Sequence, residues 1–186
     1  QDLTAANRLA TIFLKDEKYE QSIPYLEAVQ ASDPDDMNVR VKLGLVEMEL
    51  KRYEKAIVTF NSILEKNPDS DRIHYYLGSL YEETKQFDQA VEQLKAIKPG
   101  SKLFTDSALH VAYLLKQQGR NEDSKAFIRE AIAKSPETSS FYIFQASLEE
   151  DGKTVPEAIK ILEVAAQRFP EDEKVRYYLG SLYDRQ

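Results

Sequence analysis

Large apolar residues return along this chain at three- and four-residue intervals, the spacing of one helix face, and no stretch alternates as a strand does. Two series stand out. Leu9, Leu43, Leu77, Val111 and Leu179 form the first, and Leu26, Phe60, Leu94, Ile128 and Leu162 the second. Just after the first series come small residues, at Ala10, Gly44, Gly78, Ala112, Ala146 and Gly180. A second small set, Ser22, Ala56, Ala90, Ser124 and Ala158, precedes the second series. Small side chains at two such points let paired helices approach, because a bulky one would hold the axes apart. The pattern predicts helical hairpins throughout.

The hairpins repeat. Tyr75-Tyr76-Leu77-Gly78-Ser79-Leu80-Tyr81 recurs letter for letter at Tyr177 to Tyr183, an offset of 102 residues or three periods of 34. Pro34, Pro68, Pro99, Pro136 and Pro170 follow one another at gaps of 34, 31, 37 and 34, so register survives one short unit. Cutting at this period yields repeats 3–36, 37–70, 71–104, 105–138 and 139–172, with 173–186 as the first helix of a sixth, incomplete repeat. The whole of 1–186 is expected to be a single domain of stacked repeats.

Local signals agree with these cuts. Glu20, Glu54, Asp88, Glu122 and Glu157 open the second helices, where a carboxylate favours the positive end of the helix dipole. Thr154 and Glu157 have capping-box spacing, with Pro156 in the first turn. Asp33-Pro34 and Asn67-Pro68 end units, since the residue before proline leaves the helical region. Gly119 and Gly152 mark inner turns, and Pro99-Gly100 predicts a second helix about a turn short in the third repeat. Pro24 is the misfit, tolerated near a first turn with a bend.

A 34-residue helix–turn–helix unit with Gly or Ala at its eighth place, Ala or Ser at its twentieth and a closing Pro resembles the tetratricopeptide repeat (TPR) family across residues 3–186. The family's aromatic Trp at the fourth place is missing; Ala6, Arg40, His74, Ala108, Tyr142 and Arg176 stand there. The resemblance implies an all-α fold, a right-handed α-solenoid of TPR helix–turn–helix repeats wound into an α-α superhelix. It also implies a concave groove lined by the first helices, through the second, fifth, ninth, twelfth and thirteenth place of each unit. Those places include an apolar and aromatic strip of Val41, Leu45, Met48, Tyr75, Leu109, Tyr113, Ile143 and Tyr177. Apolar strips rimmed by polar residues serve as binding surfaces, and Tyr and Met suit adaptable contact. For Val41, Leu109 and Ile143, packing between adjacent units is the competing reading. Some relatives grip a terminal carboxylate with paired Lys, Asn and Arg. Here the matching places hold Asn7, Thr11, Lys42, Arg72 and Tyr76, or one unit later Val41, Leu45, Tyr76, Asp106 and His110. Neither set supplies the paired cations that clamp needs.

Composition narrows the function. With 25 Lys and Arg against 32 Asp and Glu, the formal net charge of −7 argues against nucleic acid as a partner. The absence of cysteine removes disulfides and thiolate chemistry. Two histidines, His74 and His110, allow no multi-histidine metal site, and no phosphate loop or nucleophile elbow is present. Acidic runs at Glu82-Glu83 and Glu149-Glu150-Asp151 read as solvated helix faces rather than cation ligands. No apolar run approaches the roughly 20 residues of a membrane helix.

The expectation is therefore a non-catalytic scaffold without cofactor, binding a protein or peptide in its concave groove. Its start without Met and its stop in mid-repeat suggest a piece of a longer repeat protein. The alternative is a self-associating module: 173–186 has no second helix over it, is expected to expose Leu179 and Leu182, and offers a homodimer contact. Cytoplasm and bacterial periplasm are both compatible with a cysteine-free chain, the latter with a signal or anchor upstream of Gln1.

Overall fold

The computed structural model describes residues 2–152 and 154–185. Among them the chain forms eleven helices and no strand. They fall into two compact units, residues 1–96 and 97–186.

The first unit holds α1 (Leu3–Lys15), α2 (Tyr19–Ser32), α3 (Met37–Glu49), α4 (Tyr53–Leu64), α5 (Asp71–Glu83) and α6 (Phe87–Lys95). Each helix packs chiefly on its neighbours in sequence. The hairpins close where the small residues lie. A Cβ added to Gly44 would sit 2.6 Å from Phe60 Cε1, and one added to Gly78 would sit 2.6 Å from Leu94 Cγ. The large residue over each glycine thus belongs to the second apolar series, four places after buried Ala56 or Ala90. Phe60 is fully buried and stacks on Tyr76 with ring centroids 5.3 Å apart. With Ala56, Ile63, Ile73, Leu77 and Leu80 it forms the core between α4 and α5. The short α6 has nine residues, as Pro99-Gly100 predicts.

The second unit holds α7 (Phe104–Gln117), α8 (Asn121–Lys134), α9 (Ser139–Asp151), α10 (Val155–Arg168) and α11 (Glu173–Tyr183). Buried Ser124 donates its hydroxyl to the Ala112 carbonyl at 2.7 Å, so the two small positions of this hairpin touch directly. Phe104 and Phe141 meet edge to face at 6.2 Å, tying α7 to α9. In α11, Leu182 is buried against Ala158, Ile159 and Leu162, with Leu179 packed on the same cluster. That corrects the expectation that these leucines lie open. α11 rests on both α9 and α10, which turns Leu182 inward, and Tyr177, Tyr178 and Tyr183 stand exposed instead.

The inner turns share one geometry. Glu17, Lys51, Lys85 and Gly119 take φ of 57°, 56°, 60° and 74°, the left-handed region that closes a helix. The following N–H reaches back five residues in every described hairpin: Lys18 to Phe13, Arg52 to Glu47, Gln86 to Tyr81, Arg120 to Leu115 and Thr154 to Glu149. Gly152 does not use a glycine's freedom, since its φ is −75°; the next residue lies outside the described ones. Three first helices start on an aspartate whose carboxylate accepts from two free N–H groups, at Asp2, Asp36 and Asp172. The Thr154 capping box does not form. Its hydroxyl turns back to Glu149, bonding both the carbonyl and Oε2 at 2.8 Å, because the Thr154 N–H bond to the Glu149 carbonyl already brings those acceptors close. Pro24 lies within α2 without ending it.

Candidate functional site

In the second unit the first helices α7, α9 and α11, with Leu162 of α10 at the base, line a half-open cavity of about 370 Å³. Leu109 of α7 and Ile143 of α9, two residues of the strip expected from sequence, both line it. Leu162 and Leu182 form more of its apolar wall, and Phe144 and Tyr178 complete the aromatic part. Its polar rim is Ser140, Ser147, Glu150 and Lys174, all at groove places of the repeat. Phe144 and Tyr178 stand at the sixth place, which the five-place reading passes over. Tyr76 at the same place in α5 was the available signal, as an aromatic that recurs three units later.

The rest of the strip is distributed otherwise. Tyr177 is 73% exposed, does not line the cavity, and meets Tyr178 edge to face at 5.7 Å. Tyr113 is 44% exposed on α7, its hydroxyl bonded by the Gln117 amide. In the first unit Val41, Leu45 and Met48 are half-buried and pack on the Phe60 and Leu80 core. Met48 also lines a smaller hollow of about 300 Å³ with Tyr53, Ser79 and Glu83. Tyr75 is half-buried on α5, its carbonyl accepting from Ser79 Oγ.

Electrostatics shape the cavity's edge. Glu150 of α9 is paired with Arg185, just beyond the end of α11. Asp151 pairs with Lys116. Glu149 turns away from the rim to Lys125 Nζ at 2.8 Å, with both side chains more than four-fifths buried. The hydrogen bond from Lys125, aided by Thr154, holds the Glu149 carboxyl below its ordinary range despite partial burial. The same bond raises Lys125. Asp172 is also held low, first by the Ser139 hydroxyl at 2.6 Å and then by the Val175 N–H. Lys174 makes no ion pair with any described carboxylate.

His74 has structural surroundings. His74 places Nδ1 2.8 Å from Gln93 Oε1 and Nε2 2.8 Å from the Pro68 carbonyl, bracing α5 against α6 and the preceding turn. Among the described residues no group of three acidic, histidine or cysteine side chains is arranged to hold a metal ion. No described helix is long and apolar enough to cross a membrane.

Family models for the tetratricopeptide repeat match residues 13–74, 47–101 and 112–186. No curated protein matches the chain. Among solved structures, the MamA protein superposes with a TM-score of 0.70 at 17% identity, over 92% of this chain and 94% of its own. A tetratricopeptide repeat protein from Parabacteroides merdae gives 0.70 at 14% identity, over 97% of this chain and 72% of its own. MamA of Desulfovibrio magneticus gives 0.62 at 16% identity, over 93% and 98%. At such identities the likeness is one of fold.

Proposed function

Because the chain belongs to the tetratricopeptide repeat family, an α-solenoid fold, we propose that it is a non-catalytic scaffold whose first-helix faces bind a protein or peptide. The observation carrying this reading is the half-open cavity lined chiefly by α7, α9 and α11, an apolar hollow with a polar rim on three consecutive first helices. In the first unit the same reading rests on Tyr75, and on Leu45 and Met48, which are partly buried against the Phe60 core.

A photo-crosslinking side chain placed at Tyr75, Tyr113 or Tyr177 should capture one and the same partner. The same group at Val58 or Val164, exposed on the second helices α4 and α10, should stay silent. Tyr75→Ala and Tyr113→Ala should weaken recovery of that partner while helical circular dichroism is unchanged. Capture from Val58 and Val164 alone, or recovery unaffected in both alanine variants, refutes the proposal.

A second reading, pairing of two chains through α11, draws on exposed Tyr177 and Tyr183 and on Gly180, where an added Cβ would meet nothing within 4 Å. It requires a mass that doubles with concentration in light scattering. A monomeric mass throughout removes it.

A further inference from the structure

The cavity of the second unit has a filled counterpart in the first. Shifted by three repeats, Ile143, Ser147, Glu150, Leu162, Tyr178 and Leu182 correspond to Val41, Leu45, Met48, Phe60, Tyr76 and Leu80. Those six first-unit residues belong to one packed cluster. Four of the six differ, Val41 becoming the slightly larger Ile143 and the other three changing character. Leu45 and Met48 give way to polar Ser147 and Glu150, and the Phe60 ring gives way to smaller Leu162. Tyr76 lies on the Phe60 ring at 5.3 Å; its counterpart Tyr178 has no ring beneath it and turns to Tyr177. The surrounding helices are kept while Ser147 and Leu162 take up less room than Leu45 and Phe60, and about 370 Å³ stands open here.

The charge at the rim changes in parallel. Arg72 donates from Nε to the Tyr76 hydroxyl at 2.7 Å and lies over its ring at 5.3 Å, so its guanidinium is occupied. Its counterpart Lys174 lines the cavity and makes no ion pair among the described residues. Glu150 is neutralised by Arg185, and Asp172 is engaged by Ser139 and the N–H groups of Lys174 and Val175. The rim of this hollow therefore carries, at Lys174, an ammonium held in no ion pair; its charge acts at longer range on Asp172, a carboxylate already engaged by Ser139 and backbone N–H groups.

We propose that the cavity receives one leucine- or methionine-sized side chain from a peptide segment of a partner protein, with a carboxylate beside that anchor facing Lys174. The apolar requirement follows from what the first unit places there, namely Leu45 and Met48. The acidic requirement follows from Lys174, a compact ammonium suited to a single carboxylate at a partly exposed rim. This inference rests on the first-helix binding surface proposed above and assigns its chemistry in the second unit.

Two acetylated and amidated tetrapeptides test it, one alternating aspartate and leucine and one alternating asparagine and leucine, titrated to millimolar into the 15N-labelled protein. The aspartate peptide should shift the amides of Ser147, Glu150 and Lys174 and bind roughly three-fold more tightly than the asparagine one, as a partly screened ion pair gives. Lys174→Gln should abolish that difference. The double variant Ser147→Leu, Glu150→Met, which writes the first-unit residues into the second, should remove the shifts with helical circular dichroism retained. Equal binding of the two peptides, unchanged shifts in a folded double variant, or no shift at the cavity amides overturns the proposal. Should the double variant not fold, the two peptides and Lys174→Gln decide alone. Crosslinking at Tyr75 and Tyr113 that persists when the peptides fail overturns this chemistry and leaves the scaffold reading standing.

Discussion

Gly78 and Gly180 occupy the same place in two identical heptapeptides, and substitution by alanine should move stability in opposite directions at the two. Locally the change is the same: alanine restricts the unfolded chain and favours helix by about 0.5–1 kcal/mol. The surroundings differ. At Gly180 the new Cβ meets nothing within 4 Å, so Gly180→Ala should stabilise by about 0.5–1 kcal/mol. At Gly78 it would lie 2.6 Å from Leu94 Cγ and 2.7 Å from Cδ2. Leu94 is buried and has no room to swing clear. Overpacking of this kind costs about 1–3 kcal/mol, which leaves Gly78→Ala destabilising by roughly 0–2 kcal/mol after the helical gain. The gap between the variants, on the order of 1–3 kcal/mol, is the tertiary term alone. Urea denaturation followed by circular dichroism measures both, with the amplitude checking that α11 melts with its unit. Equal shifts of the same sign would show that the Leu94 contact does not decide this position.

Four further outcomes follow from the described contacts and turns. Lys125→Met should cost about 1–3 kcal/mol, since it strands the Glu149 carboxylate in a mostly buried place; an equilibrium midpoint within error of the parent protein contradicts it. Glu149 is held below its unfolded value, so its contribution is complete above that value and fades as pH falls through the folded one. The acid side of the stability profile should therefore flatten in Glu149→Gln, whereas Lys125, held above its unfolded value, contributes until pH rises through its folded one. Asp172→Ala removes the cap of α11 and its bonds to Lys174 and Val175, at a cost of about 1–2 kcal/mol, with amide exchange accelerating first at those N–H groups. Lys85→Gly should stabilise by up to about 1 kcal/mol, because a φ of 60° strains any side chain but suits glycine; a lower melting temperature would refute that.

The hairpins were legible because their close approaches demand small residues, and a sequence displays those at Gly44, Gly78, Ala56 and Ala90 without ambiguity. The partner over each glycine was less so. Phe60 and Leu94 were readable as core, but only packing shows which of them covers which glycine. The left-handed turns were readable at Gly119 alone, since Glu17, Lys51 and Lys85 adopt the same conformation with no residue preference to announce it. Thr154 had the right spacing for a cap, yet a tertiary turn supplied nearer acceptors in Glu149. Leu179 and Leu182 looked bare because a repeat was imagined with one neighbour, whereas α11 leans on two helices. For the groove, counting places brought out Leu109 and Ile143. The hollow itself depends on what Ser147, Glu150 and Leu162 fail to fill, a property of volume that spacing does not record.

The habit of each helix to pack on its neighbours in sequence bears on how the chain reaches this structure. Within each unit, ordering a hairpin closes only a short loop, and each later hairpin is added to a surface already formed, so little entropy is spent before contacts repay it. Folding should spread from whichever hairpin forms first and run outward in either direction. Identical heptapeptides at α5 and α11 then carry little risk of exchange. By the time one of them is available, its local partners have claimed it, α6 in the first unit and α10 in the second.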